Sequence, residues 1–195
     1  GRLMYRLYRH PVVLFVLGPS YLFILQNRLP LGLMKSGWRY WTSAMGTNAM
    51  IGIGVGLLVW FGGLLPVLLI FLPTSVIGAT IGVWLFYVQH QFEETHWSKG
   101  EDWQLHDAAL EGSSHYILPQ PLRWFSGNIG IHHVHHLYSR IPFYRLTEVI
   151  RDHRALAEAQ RLTIRESLGT VNLHLWDAVE GKLMSFKEAR ARYGT

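Results

Sequence analysis

Cysteine is absent from these 195 residues. That excludes disulfides and thiolate metal sites, and it leaves the redox compartment unmarked. Aspartate and glutamate are absent up to Phe92; all 13 acidic residues lie from Glu93 onward. The first forty positions are instead basic, with Arg2, Arg6, Arg9, Arg28, Lys35 and Arg39. Several chemical signatures are missing as well. There is no His-Glu-x-x-His, no glycine-rich phosphate loop and no serine or cysteine nucleophile motif, so nothing supports a zinc protease or a nucleotide-binding loop. The chain starts Gly1-Arg2-Leu3, without methionine and without a signal-peptide pattern. Residue 1 is therefore expected not to be the native start.

What is present is a long uncharged stretch. No Lys, Arg, Asp or Glu occurs between Tyr40 and Phe92. One membrane-crossing helix needs about 20 apolar residues, so the stretch has room for two. Gly62-Gly63 with Pro66 is the favoured turn, and Pro73-Thr74 is the second choice. The expectation is a transmembrane hairpin, 46–63 out and 67–90 back. An all-basic flank beside it suits a hairpin rooted on the cytoplasmic side. A soluble core hairpin or a nucleic-acid-binding basic face fits such a charge-free length poorly. Trp38, Tyr40 and Trp41 at one end, with Trp84, Tyr87 and Trp97 near the other, resemble an interfacial aromatic belt. Residues 11–25 form a shorter apolar run, marginal for a span and read as an interfacial or re-entrant helix. Residues 91–195 are mixed in charge and read as a cytoplasmic region, with amphipathic helices expected over Leu146–Glu166 and Ser185–Arg192. The fold class expected is all-α and integral to the membrane.

Histidine carries the chemistry. Of 11 in the chain, four fall in His132-His133-Val134-His135-His136. On a helix, positions i, i+3 and i+4 share a face, so His132, His135 and His136 can converge on a metal. His133 points about 100° away and reads as a packing or outer residue. The apolar and aromatic surroundings argue against a solvated, tag-like run. His90 closes the second predicted span. An ionisable group there is a functional candidate, although an interfacial histidine also serves as a helix end. Glu93 and Glu94 follow it at i+3 and i+4 on the same face, spaced either to orient it or to form a solvated interfacial pair. His10, His96, His106, His115, His153 and His174 are isolated and read as surface or packing residues.

The segments Val88-Gln89-His90-Gln91-Phe92-Glu93-Glu94 and His132-His133-Val134-His135-His136-Leu137-Tyr138-Ser139-Arg140-Ile141-Pro142-Phe143-Tyr144-Arg145 resemble the membrane fatty acid desaturases, the bacterial and plastid Δ12 (omega-6) acyl-lipid group above all. The resemblance implies O2-dependent introduction of a cis double bond into an acyl chain at a di-iron centre. It makes His132, His135 and His136 the third histidine box and His90 the extra ligand. His133, Asn128, Gln89 and Glu94 take outer positions around the site. Two iron ions are the implied cofactor, with electrons from ferredoxin or a cytochrome b5-type donor. The implied partners are dioxygen and membrane lipid acyl chains, not nucleic acid. The implied setting is a multi-pass protein of the bacterial inner membrane with its metal site on the cytoplasmic side. Arg140, Arg145 and Arg151 suit an acidic donor protein or phospholipid headgroups equally. The family's first and second boxes have no counterpart in these residues, so the chain reads as a C-terminal portion that is inactive by itself. Related di-iron hydroxylases and a non-catalytic membrane hairpin remain the alternative readings.

Overall fold

The computed structural model describes residues 1–33, 35–96, 104–158 and 160–194. They form two compact units, Gly1–Trp84 and Leu85–Thr195.

The first unit is dominated by two helices long and apolar enough to cross a membrane, Trp38–Gly62 and Leu64–His90, of 25 and 27 residues. The first begins eight residues before the expected 46. Its opening turns, from Trp38 to Thr42, carry aromatic and polar side chains that an apolar-run criterion passes over. Gly63 separates the two helices at φ 86°, a left-handed conformation that glycine adopts without a Cβ penalty, so the expected Gly62-Gly63 break is where one long helix ends and the next begins. Pro73 does not break the second helix. A π-helical turn over Val67–Phe71 precedes it and absorbs the donor that proline lacks. The same device recurs over Val13–Leu17, two residues before Pro19. The apolar run 11–25 is accordingly helical throughout. The helical pieces Arg2–Tyr8 and Val13–Leu33 meet at a 61° bend, the geometry of a broken span or a re-entrant loop. Trp38 and Tyr40 are exposed, and Trp84 packs on Phe15 at 5.1 Å between ring centroids. Tyr87 departs from the expected belt: it is buried, and its hydroxyl donates to the Thr170 carbonyl at 3.1 Å. Trp97 lies outside the described residues.

The second unit is not all-helical as expected. Among its described residues, four three-residue strands form two small sheets. β1 (His115–Ile117) runs parallel to β2 (Arg161–Thr163), with His115 opposite Arg161. β3 (Leu175–Asp177) pairs antiparallel with β4 (Lys182–Met184). The expected helix over Leu146–Glu166 is broken for local reasons. Helix Leu146–Asp152 stops at His153, in an extended conformation at ψ 83°. A short helix, Arg154–Ala157, follows, and Gln160 then takes a positive φ of 39° that leads into β2. Helix Ile164–Thr170 starts at Thr163 through a capping box with Glu166. Helix Phe186–Tyr193 does the same with Ser185 and Glu188, close to the expected Ser185–Arg192. In both, the hydroxyl and the carboxylate satisfy opposite orphan backbone donors.

Asp177 ties the last sheet to the last helix. It accepts from the backbone N–H groups of Val179 at 2.9 Å and Glu180 at 3.4 Å, and from the Tyr193 hydroxyl at 2.9 Å. Burial pulls its pKa up, but these donors and nearby Arg192 outweigh that and hold it below the ordinary value. A carboxylate with a lowered folded pKa stabilises above its unfolded value and loses that effect as pH falls through the folded one. Asp177→Ala should therefore speed amide hydrogen exchange across 175–193 at neutral pH, and acidification should narrow its difference from the parent chain. Equal exchange in both at neutral pH would show that the carboxylate holds nothing.

Candidate metal centre

The site is assembled from two segments. His90 is the last residue of the second long helix. His132 and His136 sit on the six-residue helix His132–Leu137. The opposite face of that helix is its anchor: Val134, with Ile131 just ahead of it, joins Leu146 in a buried apolar cluster flanked by Ile141, Val149, Ile150 and Leu156.

Three imidazole nitrogens converge. His136 Nε2 lies 3.1 Å from His90 Nε2 and 3.0 Å from His132 Nε2, and all three ligand atoms are within 4.8 Å of one another. Two nitrogens sharing a metal at its usual bond length, with an angle between right and tetrahedral, stand about 2.9–3.4 Å apart. Both distances to His136 fall in that window. The His90 tautomer agrees as well. His90 Nδ1 lies 2.9 Å from the Phe86 carbonyl oxygen. A carbonyl only accepts, so the proton is on Nδ1 and Nε2 presents its lone pair. Burial, reinforced by the neighbouring His90 and His136, lowers the His132 pKa to about 3. Burial, followed by His90, also lowers that of His136. Both rings are thus neutral near pH 7, the form that binds a metal. The residues fit a histidine-bound transition metal.

His135 stands beside this triad and not in it. Its ring stacks on His132 at 5.7 Å and lies 6.0 Å from His136. Helical geometry explains the split, since i+3 and i+4 fall on opposite sides of residue i, about 60° and 40° away. His136 swings towards His90 and His135 away from it. His133 turns from the site altogether. It is fully buried, its Nε2 donates to the Leu156 carbonyl at 2.7 Å, and burial lowers its pKa to about 4 against that hydrogen bond.

The outer residues take roles that spacing alone did not specify. Gln89 is buried, and its side-chain amide donates to the Ile129 carbonyl at 2.9 Å. Its own carbonyl accepts from Ser114 N–H at 2.9 Å. The end of the long helix is thus sewn to the loop that leads into the histidine helix. Asn128, at φ 56°, donates from Nδ2 to the Phe143 carbonyl at 2.9 Å and braces the same loop. Among the described residues, neither Glu93 nor Glu94 makes a hydrogen bond or ion pair with His90. The helix stops there, so the i+3 and i+4 spacing has no helix to act on, and Glu93 pairs instead with Lys182 at 3.1 Å. The orienting partner of His90 is the Phe86 backbone carbonyl, which no side-chain motif reveals.

His115, isolated in the sequence, packs against His133 with 5.3 Å between ring centroids and is buried on β1. Gly130 was likewise silent. A Cβ there would run into the carbonyl oxygen of Tyr116, whose N–H donates back to the Gly130 carbonyl at 2.8 Å. His10, His96, His106, His153 and His174 join no three-residue metal-ligating group among the described residues.

With this geometry in place, the comparisons with known proteins are decisive. The family model of the fatty acid desaturases matches residues 1–168. The chain belongs to the fatty acid desaturase family. A protein of Bacillus subtilis (strain 168) described as a fatty acid desaturase is 39% identical over 193 residues, covering 95% of this chain. The chain spans 52% of that relative's length. All the converging histidines lie inside the region matched to the family. The same matched region holds both helices long and apolar enough to cross a membrane.

Proposed function

We propose that this chain is the C-terminal, metal-binding part of a Δ12 (omega-6)-type acyl desaturase, in a multi-pass protein of the bacterial inner membrane with its site on the cytoplasmic side. The observation that carries it is the convergence of His90, His132 and His136 at chelating distances within a family-matched segment. Two irons held there would supply the O2-dependent removal of two vicinal hydrogens from an acyl chain, with electrons from ferredoxin or a cytochrome b5-type protein.

The chain's own residues set that centre's geometry. His90, His132 and His136 would hold metal, and His135, whose ring stacks beside His132, would be a further ligand. The Phe86 carbonyl fixes the His90 ring. Gln89 acts as a positioning residue, because its hydrogen bond to Ile129 sets the distance between His90 and the histidine helix. His133 packs and binds no metal. Four imidazoles leave two irons short of a full ligand set, so the remaining ligands are placed on histidine boxes outside these residues.

Iron content and membrane fatty acid profiles test the reading. Cells expressing a longer protein that joins this chain to two further histidine boxes should gain two irons per protein and new unsaturated acyl chains, and cells expressing the 195-residue chain alone should gain neither. Unsaturated products from the short chain would overturn the need for outside ligands. An iron-free longer protein with an unchanged lipid profile would overturn the desaturase reading.

A further inference from the structure

Between Gly112 and Thr147 the sequence holds no acidic residue and three arginines, Arg123, Arg140 and Arg145. The structure adds an unexplained feature to this stretch. Trp124 and Phe125 end the helix Gln120–Phe125 and are 72% and 79% exposed, while Phe143 and Tyr144 are 60% and 64% exposed. These two pairs belong together. Phe143 lies over Gly127, where an added Cβ would sit 3.5 Å from its ring, and Asn128 binds the Phe143 carbonyl. Each pair is internally ordered in an edge-to-face contact, with centroids 5.0 Å apart for Trp124–Phe125 and 5.6 Å for Phe143–Tyr144. Four large aromatic rings on one surface, held in place yet uncovered, are unusual for water-facing protein.

Charge selects the occupant. Arg145 is engaged by Glu148 at 2.9 Å; Arg140, three residues before Phe143, lines a cavity that Glu148 and Asp152 also line but, among the described residues, forms no ion pair, and Arg123 binds the Gln120 side chain and no carboxylate. Aromatic rings rimmed by arginines, without a carboxylate in the segment, match the headgroup layer of an anionic membrane: rings at the headgroup level and guanidinium groups on phosphate. An acidic electron-donor protein would be met by the arginines but would gain little from four exposed rings.

We propose that the Trp124/Phe125–Phe143/Tyr144 patch, with Arg123 and Arg140, is a lipid-headgroup anchor that seats the histidine-bearing unit on an anionic bilayer surface. The test exploits the absence of cysteine. Phe125→Cys and Tyr144→Cys each create one labelling position, and Val179→Cys, at an 80% exposed site on the β3–β4 turn, serves as the water-facing reference. The full chain is labelled with bimane in nanodiscs of phosphatidylcholine and phosphatidylglycerol. Labels at 125 and 144 should be quenched by a headgroup-level lipid nitroxide and shielded several-fold from aqueous acrylamide relative to 179. That shielding should weaken in pure phosphatidylcholine and in Arg140→Glu. Acrylamide quenching equal to that at 179 would overturn the proposal. So would shielding from both quenchers, which would mean protein covers the patch. Lipid quenching indifferent both to phosphatidylglycerol and to Arg140→Glu would overturn the assignment to anionic headgroups. None of these readings depends on bound metal or on turnover.

Discussion

Gly130→Ala should dismantle the candidate metal centre without touching a ligand. The added methyl group would meet the Tyr116 carbonyl oxygen, and backbone cannot step aside as a flexible side chain does. Moving it would strain the Tyr116 N–H bond to the Gly130 carbonyl and the bridge between His115 and Ile131. Overpacking of this kind costs about 3 kcal/mol, and here the displacement falls two residues before His132. The expected result, in the longer protein carrying its full ligand set, is a lower midpoint of thermal unfolding together with loss of metal binding. Gly169→Ala is the internal control. Its Cβ meets nothing within 4 Å, it lies in the helix Ile164–Thr170, and it should leave both properties unchanged. An equal response of the two variants would show that the close approach at Gly130 is unimportant.

The second large effect is expected at His136, the nitrogen common to both short contacts. In the protein carrying its full ligand set, His136→Ala should lower affinity for the metal by more than about a hundredfold, beyond the usual cost of disturbing an outer partner. Iron per protein after purification reads this directly. His133→Ala should behave differently. It empties a fully buried position and leaves the Leu156 carbonyl without its donor, so thermal stability should fall while the ligand nitrogens remain. His174→Ala, against Phe186 at 4.6 Å, should leave iron content unchanged. Full iron occupancy in His136→Ala would remove it from the ligand set.

What the sequence made legible follows from the range of the forces involved. The two long helices announce themselves because a charge-free run that long has one physical solution in a membrane, and Gly63 marks the break between them because its φ demands glycine. The shared face of His132 and His136 follows from helical periodicity. The boundary at Trp38 was missed because aromatic and polar residues continue a helix as readily as apolar ones do. The strands were missed because three-residue elements such as Arg161–Thr163 are too short to show a period of two; they exist through pairing with residues far along the chain. Gln89, Gly130 and His115 stayed hidden or vague for the same reason. Each acts on a carbonyl, a Cβ position or a ring that only the folded chain brings near.

The strand His115–Ile117 and its approach carry a consequence in time. Ser114 holds Gln89, Tyr116 holds Gly130 through the backbone and Ser167 through its hydroxyl, and His115 N–H reaches the Gln160 carbonyl. His133 waits on Leu156 in turn. These pairings span tens of residues, and long-range closures come late and slowly in folding. As the chain leaves the ribosome, both long helices can enter the bilayer while the histidines are still unplaced. Only once Ser167 has emerged can the strand gather its partners. A nascent chain stalled before that residue should carry every candidate ligand named here and yet hold them in no fixed relation.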